Sequence, residues 1–321
     1  VRQILLDYLT EDQFGLCMNP EFLREGSAVY DFMNPDRILI GSTAYQASDR
    51  LTEIYAPFNA RIRFATLEEV ELVKYASNAL LSTLISFSNE IGAISEAIPN
   101  TDVRKVMRLL HMDHRLTPLV GNQYVWPNIL MYLESSFGFG GSCLPKDTRA
   151  LRAFGQSLDL PMHLIDGVMK VNDDRPDTMR RLAEHYLGNL SGKIIAVLGL
   201  AFKSGTDDMR DSPSIAIIDR LLSKGAVVRA HDPWVKTLDD YPTVTLFDSP
   251  EAAILGSDAA MICLSCNQFV RIEWSTVAET MRTPLIIDGR RLVLLVDEPH
   301  GDNFTYVQIG KMPLPTSKQL D

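Results

Sequence analysis

After Leu190 the chain settles into a repeating order of apolar run, tight loop and helix-period segment. SGKIIAVLGLAFK (191–203) reads as a strand then a tight loop, SPSIAIIDRLLSKG (212–225) as a helix stopped by Gly225, and AVVRAHDP (226–233) as the next strand. EAAILGSDAAMICLSC (251–266) supplies another helix and strand, and PLIIDGRR (284–291) a strand running into a loop. Strands joined this way run parallel, because each intervening helix carries the chain back to the end from which the last strand began. The C-terminal part is therefore predicted to be α/β, a parallel sheet covered by helices.

Upstream the pattern differs. Leu67, Val70, Val73, Ala76, Leu80, Leu81, Leu84, Ile85 and Ile91 recur at helical intervals, which predicts one long helix over 67–92. A second helix is expected over roughly 101–112 and a third directly after Cys143. Before them, residues 1–16 read as a helix and a turn, with short strands at GLCMNP (15–20) and DRILIGS (36–42). LTPLVGNQYVWPNILMYLES (116–135) is rich in Pro, Asn and aromatic residues and periodic only in its second half, as expected of a surface segment.

Composition narrows the function classes. The 321 residues, 46% of them hydrophobic, suffice for two or three lobes with cores of their own. No run of apolar residues is long enough to span a membrane, and the first residues lack the pattern of a secretory signal. Four widely spread cysteines favour a reducing cytoplasm. With 31 Lys plus Arg against 41 Asp plus Glu, a net charge of -10 disfavours nucleic acid as partner. A phosphorylated ligand is still admissible through local cations, for which Lys203, Arg210, Arg290 and Arg291 are candidates. No metal is expected: the histidines lack zinc spacing, and Cys263 and Cys266 form a single CxxC inside an apolar run. Cys17 reads as a small core residue.

Cys143 stands apart. It lies in FGFGGSCLPKD (137–147), where Gly138, Gly140 and Gly141 allow close approach of the backbone to a bound group and Pro145 pre-sets a first helical turn. A thiol at the electropositive start of a helix is a candidate nucleophile, against the alternative of an inert core cysteine. Asp147, four residues on, falls on the same helical face, although an acid in a first turn also suits the helix dipole alone. Lys74 and Asn78 form an i,i+4 pair on an apolar helix, either as groups that steady a developing oxygen charge and a water, or as a snorkelling lysine beside a satisfied asparagine. If Pro20 opens a helical turn, Glu21 and Glu25 share a face, as functional carboxylates or as ordinary first-turn acids.

FGFGGSCLPKD resembles the catalytic-cysteine motif of the nucleotide-sugar 6-dehydrogenases, the family containing the UDP-glucose and GDP-mannose dehydrogenases. Four further blocks agree in order: CMNPEFLREGSAVYDF (17–32), LEEVELVKYASNALLSTLISFSNEIG (67–92), VLGLAFKSGTDDMRDSPS (197–214) and IIDGRR (286–291). The resemblance covers nearly the whole chain. It implies the tail of an N-terminal Rossmann-type domain over 1–62, a central long-helix dimerisation domain over 63–188, and a C-terminal Rossmann-like nucleotide-sugar domain over 189–321.

The same resemblance implies an NAD-dependent, two-step oxidation of C6 of a nucleotide hexose, most simply UDP-glucose to UDP-glucuronate. Cys143 would hold the aldehyde as a thiohemiacetal and then a thioester. Lys74, Asn78, Asp147 and Glu21 would assist, with Glu25 and Arg210 near the cofactor. Phe139, Gly140, Lys203, Arg290 and Arg291 would bind the sugar nucleotide, and Arg115 would reach across a homodimer. A GDP-mannose 6-dehydrogenase, an enzyme for a UDP-N-acetylhexosamine, and a non-catalytic nucleotide-sugar binder stay open as alternatives.

Some features depart from the family pattern. No GxGxxG fingerprint precedes NPEFLREG, and LGLAFKSG from Leu198 resembles one only superficially, so roughly 120 residues are expected upstream of Val1. Either a truncated record or a natural protein without its cofactor lobe would account for that. Glu134, Ser135 and Ser136 stand where the family usually has Arg/Gly-Pro-Gly, and Thr117 replaces a glycine. The 116–135 segment is about a dozen residues longer than usual, which reads as an insertion.

Overall fold

The computed structural model describes residues 1–292 and 303–311. The chain falls into two units, Val1–Ala79 and Leu80–Asp321.

The first unit holds helix α1 (Arg2–Leu6), strand β1 (Cys17–Met18), α2 (Ala28–Met33), β2 (Arg37–Ser42), α3 (Tyr45–Tyr55), β3 (Arg61–Ala65) and the start of α4 (Leu67–Ala97). β1 lies antiparallel to β2, with Cys17 opposite Ser42, and β2 lies parallel to β3, with Arg37 opposite Arg61. The β2–α3–β3 crossover is a βαβ unit whose inward residues, Ile38 and Ile40, are buried. Both strands expected near 17–20 and 36–42 form, whereas α3 and β3 had no clear sequence signal. The expected helical turn after Pro20 does not: residues 21–24 are irregular. Glu21 accepts from the Leu23 amide at 2.7 Å, and the Arg24 amide is taken by Asp31 at 2.9 Å. These local side-chain bonds compete with helical ones. Glu21 and Glu25 therefore do not share a helix face.

α4 begins where its apolar period predicts, and a reciprocal capping box closes its first turn: the Glu69 amide donates to Thr66 Oγ1 at 3.1 Å, and the Thr66 amide to Glu69 Oε2 at 2.9 Å.

The second unit continues α4 into α5 (Val103–His111), a hairpin of β4 (Leu119–Val120) and β5 (Gln123–Tyr124), a 3-10 turn at Asn128–Tyr132, then α6 (Leu144–Ser157), α7 (His163–Asp174) and α8 (Asp177–Leu187). The hairpin occupies the expected insertion. Trp126 stands edge-on to His111 at 6.4 Å and Tyr124 tilts against His114 at 5.6 Å, while the buried Thr117 hydroxyl donates to the His111 carbonyl. Burial lowers the His111 imidazole, against the pull of Glu134.

There follow β6 (Ile194–Leu198), α9 (Pro213–Ser223), β7 (Val227–His231), β8 (Thr245–Leu246), α10 (Pro250–Ile254), β9 (Ala259–Ile262), α11 (Asn267–Val270), α12 (Trp274–Ala278), β10 (Leu285–Asp288) and β11 (Thr305–Gln308). They build a parallel six-stranded sheet in the order β11-β10-β9-β6-β7-β8. Side chains alternate through it. Ile195 and Val197 enter one apolar cluster with Ile217, Ile218, Leu221 and Val228; Ala196 and Leu198 enter another with Ile254, Phe269 and Trp274. A sheet covered on both faces explains the unbroken apolar runs of its strands. β11 lay beyond the sequence reading.

Cys263, just past β9, is buried, and that burial pushes its thiol up to about 12. Cys266 caps α11, its sulfur accepting from the Gln268 amide at 3.4 Å. Cys17 is half-buried beside Ser42. Among the described residues, no helix is long and apolar enough to cross a membrane, and no cluster of metal-ligating side chains is found.

Candidate active site

Cys143 is the N-cap of α6, exposed, with Pro145 in the first turn and its own carbonyl accepting from the Asp147 amide at 2.9 Å. Asp147 is buried in that turn and paired with Lys146. Thr148 anchors the turn, its hydroxyl meeting Ser82 at 3.0 Å and the Leu144 carbonyl at 2.7 Å.

The loop ahead of the thiol is pressed against the segment that follows β6. The Gly141 amide donates to the Arg210 carbonyl at 3.0 Å. A Cβ on Gly140 would stand 2.2 Å from the Asp211 carbonyl oxygen and 2.8 Å from Pro213; one on Gly141, at φ 87°, would enter the Phe202 ring. Gly140→Ala is thus expected to cost about 1–3 kcal/mol through backbone displacement. Gly167→Ala, in α7 with nothing within 4 Å of the added carbon, is expected to be neutral or stabilising. Melting temperatures of the two variants test this, and equal values would count against the tight approach at Gly140.

Further back, fully buried Phe137 lies under the Arg290 guanidinium, 4.3 Å from ring centre to charge. Ser136 is held by the Asn89 side chain, which accepts its amide at 2.7 Å, and by Arg175, whose Nε donates to its carbonyl at 2.7 Å. Asn172 bonds both backbone groups of Phe139. Ser135 packs on Gly92, within reach of Arg175. The serines that replace the family's usual residues are thus fastened to α4 and to the turn after α7.

Around this loop stand the groups singled out from the sequence. Phe139, Gly140, Cys143 and Asp147 belong to it. Lys203 follows Phe202 and lies 5.5 Å from that ring. Arg210 offers its carbonyl to the loop and its exposed guanidinium to Asp208. Arg290 donates from Nε to the Cys263 carbonyl at 3.0 Å, and burial lowers its basicity against the pull of Cys263 and Asp288.

Two predicted residues point elsewhere. Arg291, buried and at φ 52°, pairs with Asp102 and gives its carbonyl to Arg104. Burial pushes the Asp102 carboxyl up, but the bonds and charge of Arg291 outweigh it and leave the group lowered. Arg115 is 89% exposed and paired with Asp113, whose carboxyl its hydrogen bonds hold down at about 2.

In the first unit Lys74 and Glu21 come together as an ion pair at 2.8 Å, with the lysine over the Phe22 ring. Asn78 stands one turn further along α4. The NPEF segment is fixed by Asn19, which donates to the Leu39 carbonyl at 2.8 Å and accepts from Tyr55 OH at 2.6 Å. Glu25 is exposed in the turn that follows.

Asn89, Asn172 and Arg175 drew no notice in the sequence, because each serves backbone atoms more than thirty positions away. The available signal was a polar residue on an otherwise buried helix face.

Three descriptions of one family match successive parts of the chain: UDP-glucose/GDP-mannose dehydrogenase family NAD binding domain over 2–59, central domain over 68–174, and UDP binding domain over 196–294. A UDP-glucose 6-dehydrogenase of Bacillus subtilis (strain 168) is 36% identical over 315 residues, covering 97% of this chain and 68% of the relative. A Pseudomonas aeruginosa UDP-glucose 6-dehydrogenase is 38% identical over 290 residues, covering 87% and 61%. The chain thus spans about two thirds of the length of these relatives. The solved UDP-glucose dehydrogenase of Pyrobaculum islandicum superposes with a TM-score of 0.77 at 33% identity, over 93% of this chain and 64% of the other.

Proposed function

Because the chain belongs to the UDP-glucose/GDP-mannose dehydrogenase family, we propose that it is the greater part of an NAD-dependent nucleotide-sugar 6-dehydrogenase whose substrate is UDP-glucose. The observation that carries this reading is the exposed thiol of Cys143 at the start of α6, on a loop braced by the segments bearing Lys203, Arg210 and Arg290.

NAD, when bound, supplies the hydride acceptor for each of the two oxidations. By the family resemblance Glu25, exposed in the turn ahead of the βαβ unit, would take a ribose hydroxyl of such a group, and Arg210 would be a further cofactor contact. Cys143 bonds through sulfur to the C6 aldehyde, whose oxygen takes up a proton, and so keeps the half-oxidised sugar in place. After the second oxidation the same sulfur carries an acyl group, which water displaces as the carboxylate, returning the thiol. By the family resemblance Lys74 would steady the oxygen as its charge develops, Asn78 would hold the attacking water, and Glu21 and Asp147 would move its proton. Phe139, Gly140, Lys203 and Arg290 bind the sugar nucleotide, whereas Arg291 is engaged with Asp102.

We also assign residues 1–62 to the cofactor lobe, 63–188 to the central domain and 189–321 to the nucleotide-sugar lobe. Pairing of two chains through α4 is supported by Leu80, Phe87 and Ile94, exposed apolar residues seven positions apart. Arg115 is the residue each chain would lend its partner, and the cytoplasm is the compartment.

A panel of UDP-glucose, GDP-mannose and UDP-N-acetylhexosamines, assayed for NADH release with the full-length protein, tests the assignment. Two NADH per UDP-glucose are expected, with the other sugars much slower. Binding of UDP-glucose without any NADH from any sugar would refute the enzyme and leave a binding protein.

A further inference from the structure

We propose that Asn172 is a positioning residue for Cys143: its side-chain amide grips the Phe139 backbone at both polar groups and so sets the path of the glycine loop that ends at the thiol. The proposal rests on Cys143 being the nucleophile.

Oδ1 of Asn172 accepts the Phe139 amide at 2.7 Å, and Nδ2 donates to the Phe139 carbonyl at 3.0 Å. The amide lies flush on the loop, since a Cβ on Gly138 would stand 3.0 Å from Oδ1. Between Phe139 and Cys143 come Gly140, Gly141 and Ser142, a stretch with little conformational preference of its own. Its direction must be imposed from outside. Beside the close packing of Gly140 and Gly141, one hydrogen-bonded constraint is the Arg210 carbonyl on Gly141 and another is Asn172, placed in the last turn of α7. α7 is itself tied to α4 by the Ser86 hydroxyl, which donates to the Val168 carbonyl at 3.0 Å. A short planar amide, with its acceptor and donor side by side on one carbon, meets both backbone partners at once, whereas a carboxylate only accepts. Asn172 acts through Phe139, on a helix-borne and therefore rigid support.

The test exploits that chemistry. Asn172→Asp keeps the acceptor but loses the donor to the Phe139 carbonyl until the new carboxyl is protonated, when the original bonding is restored. Asn172→Ala loses both. Labelling of Cys143 with 2,2′-dipyridyl disulfide, which reacts with thiols in acid as well as at neutral pH, followed by peptide mass spectrometry between pH 3 and 8, a range that spans the ordinary aspartate value of about 4, gives rates for both variants relative to the parent chain at each pH. For Asn172→Asp the relative rate is expected to be down about tenfold at pH 8 and to climb towards one as pH falls. For Asn172→Ala it stays low throughout. The charged groups bordering the new carboxyl are Arg149 of α6, paired with Asp211, and Asp173 of α7. Both are present in all three proteins, so their own titration cancels in the ratio.

A relative rate for Asn172→Asp that stays flat across pH, or a parental rate in both variants, overturns the proposal. Should Asn172→Ala fail to fold, the pH course of Asn172→Asp still decides. In turnover, kcat falls while KM for the sugar nucleotide holds. Labelling needs no cofactor, so a full-length protein inactive with every nucleotide sugar would refute the enzymatic assignment and leave this result standing.

Discussion

Cys143→Ser is expected to stop release of the acid while nucleotide-sugar binding persists. An alcohol at this position is a far weaker nucleophile than a thiol, and any ester it formed would hydrolyse more slowly than a thioester. Removing a covalent nucleophile typically costs a factor on the order of 10³–10⁶ in kcat. The exchange should cost little stability, because the side chain is exposed and its only sulfur neighbour at hydrogen-bonding range among the described contacts is the Ser142 hydroxyl at 3.6 Å. Quantifying the uronate product by chromatography, with calorimetry for substrate affinity, separates the two effects. Acid formation within tenfold of the parent would remove Cys143 from the chemistry.

Arg175→Met is expected to be the most damaging single change to stability. The Arg175 side chain is 3% exposed and makes a two-pronged pair with Glu96, at 3.0 and 2.6 Å, while reaching the Ser136 carbonyl and the Thr178 hydroxyl. Glu96 also accepts from the Gly310 amide at 2.8 Å, so this pair fastens α4, the cysteine loop and the end of the sheet together. Methionine fills the volume but leaves a carboxylate, itself only 14% exposed, without its cation. Breaking such a pair from one side costs about 3–5 kcal/mol, whereas neutralising both members costs much less. Denaturant unfolding should accordingly show the double variant Arg175→Met/Glu96→Gln recovering part of the loss. A single variant within about 1 kcal/mol of the parent would mean the pair is solvated rather than structural.

The elements most legible in the sequence were those governed by local rules. α4 was announced by its apolar period, and the structure adds a capping box of Thr66 and Glu69 at its start. Four strands of the parallel sheet, β6, β7, β9 and β10, were announced by apolar runs alternating with helical segments, and α6 by the glycines and proline around Cys143. What stayed hidden depends on distant partners. Pro20 looked like a helix start, but the bonds of Glu21 to Leu23 and of Arg24 to Asp31 won locally. Arg291 looked equivalent to Arg290, yet a left-handed backbone turns it towards Asp102. No periodicity reveals that Asn172 serves Phe139, because the partner is main chain and the encounter is created only by the packing of α7.

The cysteine turn takes its shape from two neighbours at once, the helices that supply Asn89, Asn172 and Arg175 and the sheet loops that supply Phe202, the Asp211 carbonyl and Arg290. Chimeras that graft the nucleotide lobe of one relative onto the helical segment of another must therefore transplant residues 202, 211, 213 and 290 together with 136–143. A graft that cuts between these groups would inherit a mismatched seam under the nucleophile, even where each half is sound alone.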